Sequence, residues 1–100
     1  MEKKYLEFYD ECINVWGEDA QIKMCIEEMS ELTKELCKNY RENFRGTPQQ
    51  IEKICEEIAD VQNVVDKMQH IFGEERVDEI RAQKIERTKP LLEEAKRRME

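Results

Sequence analysis

Two short stretches of this chain carry the same arrangement of acids. Ile26-Glu27-Glu28-Met29-Ser30-Glu31-Leu32 is echoed by Cys55-Glu56-Glu57-Ile58-Ala59-Asp60-Val61, with Gln21-Ile22 leading into the first and Gln50-Ile51 into the second. Each stretch sets two carboxylates three residues apart, Glu28 with Glu31 and Glu57 with Asp60, and neighbours at that spacing share one helix face. Two helices on one frame can turn all four toward a common place. Such a gathering is unfavourable by itself, since like charges about 5 Å apart repel by roughly 3 kcal/mol at an effective dielectric of 20. Protons or a hard divalent cation must offset the repulsion, and an all-oxygen ligand set suits Mg2+, with Mn2+ as a substitute. Glu28, Glu31, Glu57 and Asp60 are therefore the candidate metal ligands and catalytic acids.

Acids are plentiful, 24 in 100 residues, so one Glu-Glu-x-x-acid pattern is expected about once by chance. A third copy, Glu74-Glu75-Arg76-Val77-Asp78, reads as solvated acids in a first helical turn, where the helix dipole favours them. The first two copies differ because they lie mid-helix beside a shared apolar stripe. At about 100° per residue, Glu28 and Glu57 fall roughly 80–100° from the stripe centre, and Glu31 and Asp60 roughly 140–160°. Glu28 and Glu57 are thus expected at the edge of a cleft floored by the core. Glu27 projects further out and reads as a solvated or supporting acid behind the ligands. A di-iron carboxylate bundle is the rival metal reading, but it wants Glu-x-x-His on two helices. The single histidine, His70, lacks that partner and reads as a helix-end surface or interface residue.

An acidic metal cluster suits a polyphosphate, which also needs cations on its far side. The last helical frame, Val77, Ile80, Lys84, Arg87 and Leu91, puts Lys84 and Arg87 where apolar residues are expected. Inward cations are costly unless anions meet them. The competing reading is an apolar line that drifts to Ile85 and Leu92. Trp16 could stack on a base and Asn63, one turn after Asp60, could donate to a phosphate or base; a core aromatic and an exposed amide are the plainer readings.

The elements that must position these residues are helical. One hundred residues make one small domain, and 41% charged residues with three glycines and two prolines suit long helices. No alternating β-branched run suggests a strand, so the expected class is an all-α, four- to five-helix bundle. A first helix is predicted over about 3–15, with Tyr5, Phe8, Tyr9, Cys12, Ile13 and Trp16 as its apolar face and Gly17 as its end. The second covers about 19–41 along Ile22, Cys25, Ile26, Met29, Leu32, Leu36 and Tyr40, and 43–46 is the loop. Thr47-Pro48-Gln49-Gln50 reads as a capping box with proline at the first helical position. The third helix continues through Ile51, Ile54, Ile58, Val61, Val65, Met68 and Phe72 to a stop at Gly73, and a fourth begins near Glu74 with a kink predicted at Pro90. Cys12, Cys25, Cys37 and Cys55 show no CxxC spacing and read as reduced core residues of a cytoplasmic protein. The net charge of −7 argues against a nucleic-acid partner, no apolar run has the length of a membrane span, and no signal-peptide core is seen.

With these residues in view, the chain resembles the MazG-type all-α nucleotide pyrophosphohydrolases. The resemblance lies in Glu27-Glu28-x-x-Glu31, a gap of 25 residues, Glu57-x-x-Asp60, and the later basic stretch Lys84-Ile85-Glu86-Arg87. Trp16-Gly17 followed by Gln21 is also similar to small members of bacterial and phage type. It implies Mg2+-dependent cleavage of (deoxy)nucleoside triphosphates to a nucleoside monophosphate and pyrophosphate, with metal-bound water attacking. On that basis Glu28, Glu31, Glu57 and Asp60 would ligate the metal, and Lys84 and Arg87 would steady the phosphates. It also implies a homodimer or homotetramer. The non-enzymatic alternative is a helical oligomerisation or interaction module whose acidic faces keep it soluble; an enzyme acting on cyclic or diphosphate nucleotides with the same metals is a further alternative.

Overall fold

The computed structural model describes residues 3–41 and 46–100. After a 3-10 turn at Lys3–Tyr5 come four α-helices, α1 (Leu6–Trp16), α2 (Glu18–Arg41), α3 (Pro48–Phe72) and α4 (Glu74–Arg98). No strand occurs among the described residues.

The helix ends follow local chemistry. Gly17 takes φ 90°, a conformation that side chains disfavour, and its N–H donates to the Ile13 carbonyl at 2.8 Å. That single residue turns α1 into α2. At the start of α3, the Thr47 hydroxyl accepts from the Gln50 N–H while the Gln50 side chain accepts from the Thr47 N–H, with Pro48 following. This is the predicted capping box. Gly73, at φ 149°, closes α3 and opens α4. Of the predicted 43–46 loop, residues 43–45 lie outside the described residues.

The short connection between α2 and α3 makes them antiparallel neighbours, and their pairing is the main packing contact of the chain. α1 lies against both. Among the described residues the buried apolar set is small: Tyr9, Cys12, Cys25 and Val64. Four polar residues are buried with it, namely Gln21, Glu57, Lys67 and Gln69. The predicted apolar stripes therefore do not all face inward. Ile26, Met29, Leu36, Tyr40, Ile51, Ile58, Val65 and Phe72 are exposed. A stripe wider than one helix contact leaves its flanks uncovered in a single chain. The cysteines divide likewise: all four are free, Cys12 and Cys25 are buried, and Cys37 and Cys55 are exposed rather than in the core. Burial pushes the Cys25 thiol above its usual range.

The corner between α3 and α4 corrects another expectation. The Gln69 amide donates to the Glu74 carbonyl at 3.0 Å and to Asp78 Oδ1 at 2.7 Å. His70 engages Glu74 through Nδ1 and Asp10 of α1 through Nε2, the latter at 2.6 Å. Two acids of the third copy thus fix the entry of α4 instead of merely being solvated, because the Gly73 turn folds the first turn of α4 back onto the last turn of α3. Beyond that corner α4 is uncovered: every residue from Arg81 to Glu100 is exposed. The helix runs through Pro90 as one element. The Cα radius of gyration is 17.3 Å, against about 13 Å for a compact domain of this length.

Candidate functional site

The echoed acids lie where α2 and α3 face each other. Glu28, Glu57 and Asp60 each offer a carboxylate oxygen, and these three oxygens lie within 4.8 Å of one another. Glu28 is half-buried, Glu57 is only 5% exposed, and Asp60 is exposed. Three carboxylates on two helices converge although they are 29 and 32 residues apart in the chain, because the α2–α3 pairing superposes the two copies of the acidic frame.

The electrostatics record the crowding. Burial, reinforced by the negative charges of Asp60, Glu57, Glu31 and Glu27, holds the Glu28 carboxyl above the ordinary glutamate range. Glu31 and Glu27 are exposed and stand outside the close triad, yet both act on Glu28 through space. One turn before Glu57, Lys53 places its Nζ 3.0 Å from Glu57 Oε1. This bond, and the negative charge it brings, raise the Lys53 ammonium above its usual range. Glu57 Oε2 is left buried with no hydrogen-bond partner. A buried, unpaired carboxylate oxygen is costly until a proton, a hydrogen-bond donor or a cation meets it.

The donor set can be compared with what a metal requires. Oxygens bound to one Mg2+ at about 2.1 Å lie roughly 3.0 Å apart when adjacent and 4.2 Å when opposite. A spread of up to 4.8 Å fits after the side chains draw inward slightly, and all donors are hard oxygens. Acidic groups also gather without metal, so the orphaned Glu57 oxygen is the more telling observation. Glu28, Glu57 and Asp60 could hold the ion, with Glu31 within electrostatic reach.

The remaining sequence-selected residues fall elsewhere. Lys84 and Arg87 are exposed on the uncovered part of α4, not on an inward seam of this chain, and no described contact joins them to the acids. Trp16 is 60% exposed at the end of α1, so it is not a core aromatic. Asn63 is exposed and lines the groove between α1 and α3. His70 is committed to Asp10 and Glu74, away from the acid triad. The roles of three polar residues, Lys53, Lys67 and Gln21, were not read from sequence. Lys53 has a visible signal, its i,i+4 spacing to Glu57. Lys67 and Gln21 have none, because a buried lysine and a buried glutamine look like surface residues in a sequence. Compared with known proteins, the chain matches no family model, no curated protein and no solved structure.

Proposed function

We propose that this chain is a Mg2+-dependent nucleoside triphosphate pyrophosphohydrolase that works as a homo-oligomer. The observation that carries the reading is the convergence of Glu28, Glu57 and Asp60 around a buried carboxylate oxygen with no partner. The sequence resemblance to MazG-type enzymes supplies the reaction: release of pyrophosphate from a triphosphate.

In this reading Glu28, Glu57 and Asp60 hold the ion, and Glu31 adds a fourth negative charge beside them. Bound magnesium supplies charge neutralisation for the phosphates and lowers the pKa of a water molecule. Glu57 is fixed by Lys53 on one oxygen, so its other oxygen is presented in a set direction. Lys84 and Arg87 would reach the phosphates from a helix of a neighbouring copy. Oligomerisation is supported by the exposed apolar residues of α2 and α3 and by an α4 that has nothing against its outer half. An isolated helix of that kind is marginal in water unless an apolar face is covered.

A magnesium-supplemented screen of the eight common nucleoside triphosphates, with pyrophosphate detected directly, tests the reading. Pyrophosphate with a matching monophosphate is expected. Release of orthophosphate instead would indicate a different cleavage point. The exposed Ile26, Met29, Leu36 and Ile58 also favour the interaction-module alternative, which predicts that none of the triphosphates is hydrolysed.

A further inference from the structure

Of the ion pairs among the described residues, only Lys53–Glu57 involves one of the four echoed carboxylates, with Nζ 3.0 Å from Oε1. Lys84 and Arg87, the cations expected to meet phosphates, are exposed on α4 with no described contact to the acids. An i,i+4 pair on a helix surface ordinarily contributes little. This pair differs because its acid is buried. Glu57 belongs to the triad and has its second oxygen unpartnered, whereas the lysine side chain is half exposed. Lys53 thus joins a buried carboxylate of the triad to the solvent side of the site.

An ammonium group has three N–H donors, and the bond to Glu57 uses one of them. Tetrahedral geometry turns the other two away from that oxygen, and half of the side chain is open to a ligand. The nitrogen stands one hydrogen bond from the triad, whose oxygens all lie within 4.8 Å of one another. A polyphosphate that covers the triad has oxygens to spare for a donor at its rim.

From this placement we infer that Lys53 is a positioning residue for the polyphosphate: it keeps Glu57 Oε1 and gives its free N–H groups to a phosphate oxygen of the same substrate. It supplies within one chain a phosphate contact otherwise asked of a neighbouring copy. The inference rests on the metal-dependent hydrolase reading above. A fixed positive charge beside Glu57 also opposes an incoming dication. The site is therefore weak for the bare ion and stronger for the ion together with a polyphosphate, whose negative charge meets the ammonium. A lysine that only orients Glu57 behaves differently, because its loss weakens ion binding.

The test is calorimetric titration of the full chain, of Lys53→Met and of Lys53→Arg. Mg2+ is titrated alone, and then inorganic tripolyphosphate at Mg2+ saturating for each protein. Pyrophosphate release from the common nucleoside triphosphates is followed in parallel. Lys53→Met is expected to bind bare Mg2+ at least about threefold more tightly and tripolyphosphate about tenfold more weakly. Lys53→Arg should stay close to the wild type in both. Should the methionine variant fail to fold, Lys53→Gln must show the same opposite shifts. Bare Mg2+ affinity that is unchanged or weaker without the charge overturns the inference, and so does unchanged tripolyphosphate affinity. Pyrophosphate release by the wild type alongside either result leaves the hydrolase standing and rejects the role of Lys53. Opposite shifts without pyrophosphate release from any triphosphate keep Lys53 as the polyphosphate contact and reject the hydrolase. Absence of Mg2+ binding in every protein rejects both.

Discussion

At the scale of single residues, the site depends on which carboxylates are held and which are loose. Glu57 is buried and pinned by Lys53, and Glu28 is half-buried among four other acids. Glu28→Gln and Glu57→Gln are each expected to abolish turnover while leaving helicity by circular dichroism intact. Glu31→Gln should cost less, about 10–100-fold, because Glu31 acts on Glu28 from outside the close triad. Full activity in the Glu28 and Glu57 variants would remove the proposed ligand set. The raised Glu28 pKa also fixes a pH dependence. Its folded value lies above its unfolded one, so in the metal-free protein its contribution is fully present below about pH 4.3 and is lost as pH rises through the folded value. Magnesium affinity should run the opposite way, weakening on acidification as the ion must displace a proton; titration at several pH values measures it. Gln21 makes a separate prediction. It is 1% exposed with both amide atoms unpartnered, so Gln21→Met should stabilise by about 1 kcal/mol in urea unfolding. The acid pairs were legible in sequence because spacing on a helix survives folding. The states of Lys53, Lys67 and Gln21 were not, because burial of a polar group is decided by which helix lands on it.

At the scale of elements, the corner joining α1, α3 and α4 turns on His70. Both ring nitrogens face carboxylates, Asp10 and Glu74, and carboxylates only accept, so both bonds require the imidazolium form. The bond to Asp10 and then that to Glu74 hold its pKa above the usual value of about 6.5. With the folded value raised, the stabilisation is fully present below about pH 6.5 and disappears as pH rises through the folded value. His70→Gln should therefore destabilise by about 1–2 kcal/mol at pH 5.5 and by much less at pH 9, read from urea midpoints. An equal loss at both pH values would show that the ring acts by packing alone. Helix number, the Thr47 cap and the Gly17 and Gly73 stops could all be read from sequence, since each is a local signal. The corner could not. Glu74 and Asp78 fit an ordinary first-turn pattern, and only the fold of α4 over α3 gives them partners.

At the scale of the molecule, the single chain is extended and leaves apolar surface open. Ile85, Leu91 and Leu92 on α4 are all more than half exposed, and every residue of the segment 81–100 is exposed. Light scattering should give a mass of at least twice the 12.1 kDa chain, and Leu92→Asp should lower it. A wild-type monomer at micromolar concentration would leave Lys84 and Arg87 without a route to any acid cluster. The metal proposal has a whole-molecule readout too, because an ion bound only by the folded state stabilises all of it. Thermal or urea unfolding with increasing Mg2+ at constant ionic strength is the most direct measurement. The prediction is a saturable stabilisation, reaching about 2.7 kcal/mol at a hundred times the dissociation constant, that vanishes in Glu57→Gln. A shift that never saturates, or one that Glu57→Gln retains in full, would contradict it.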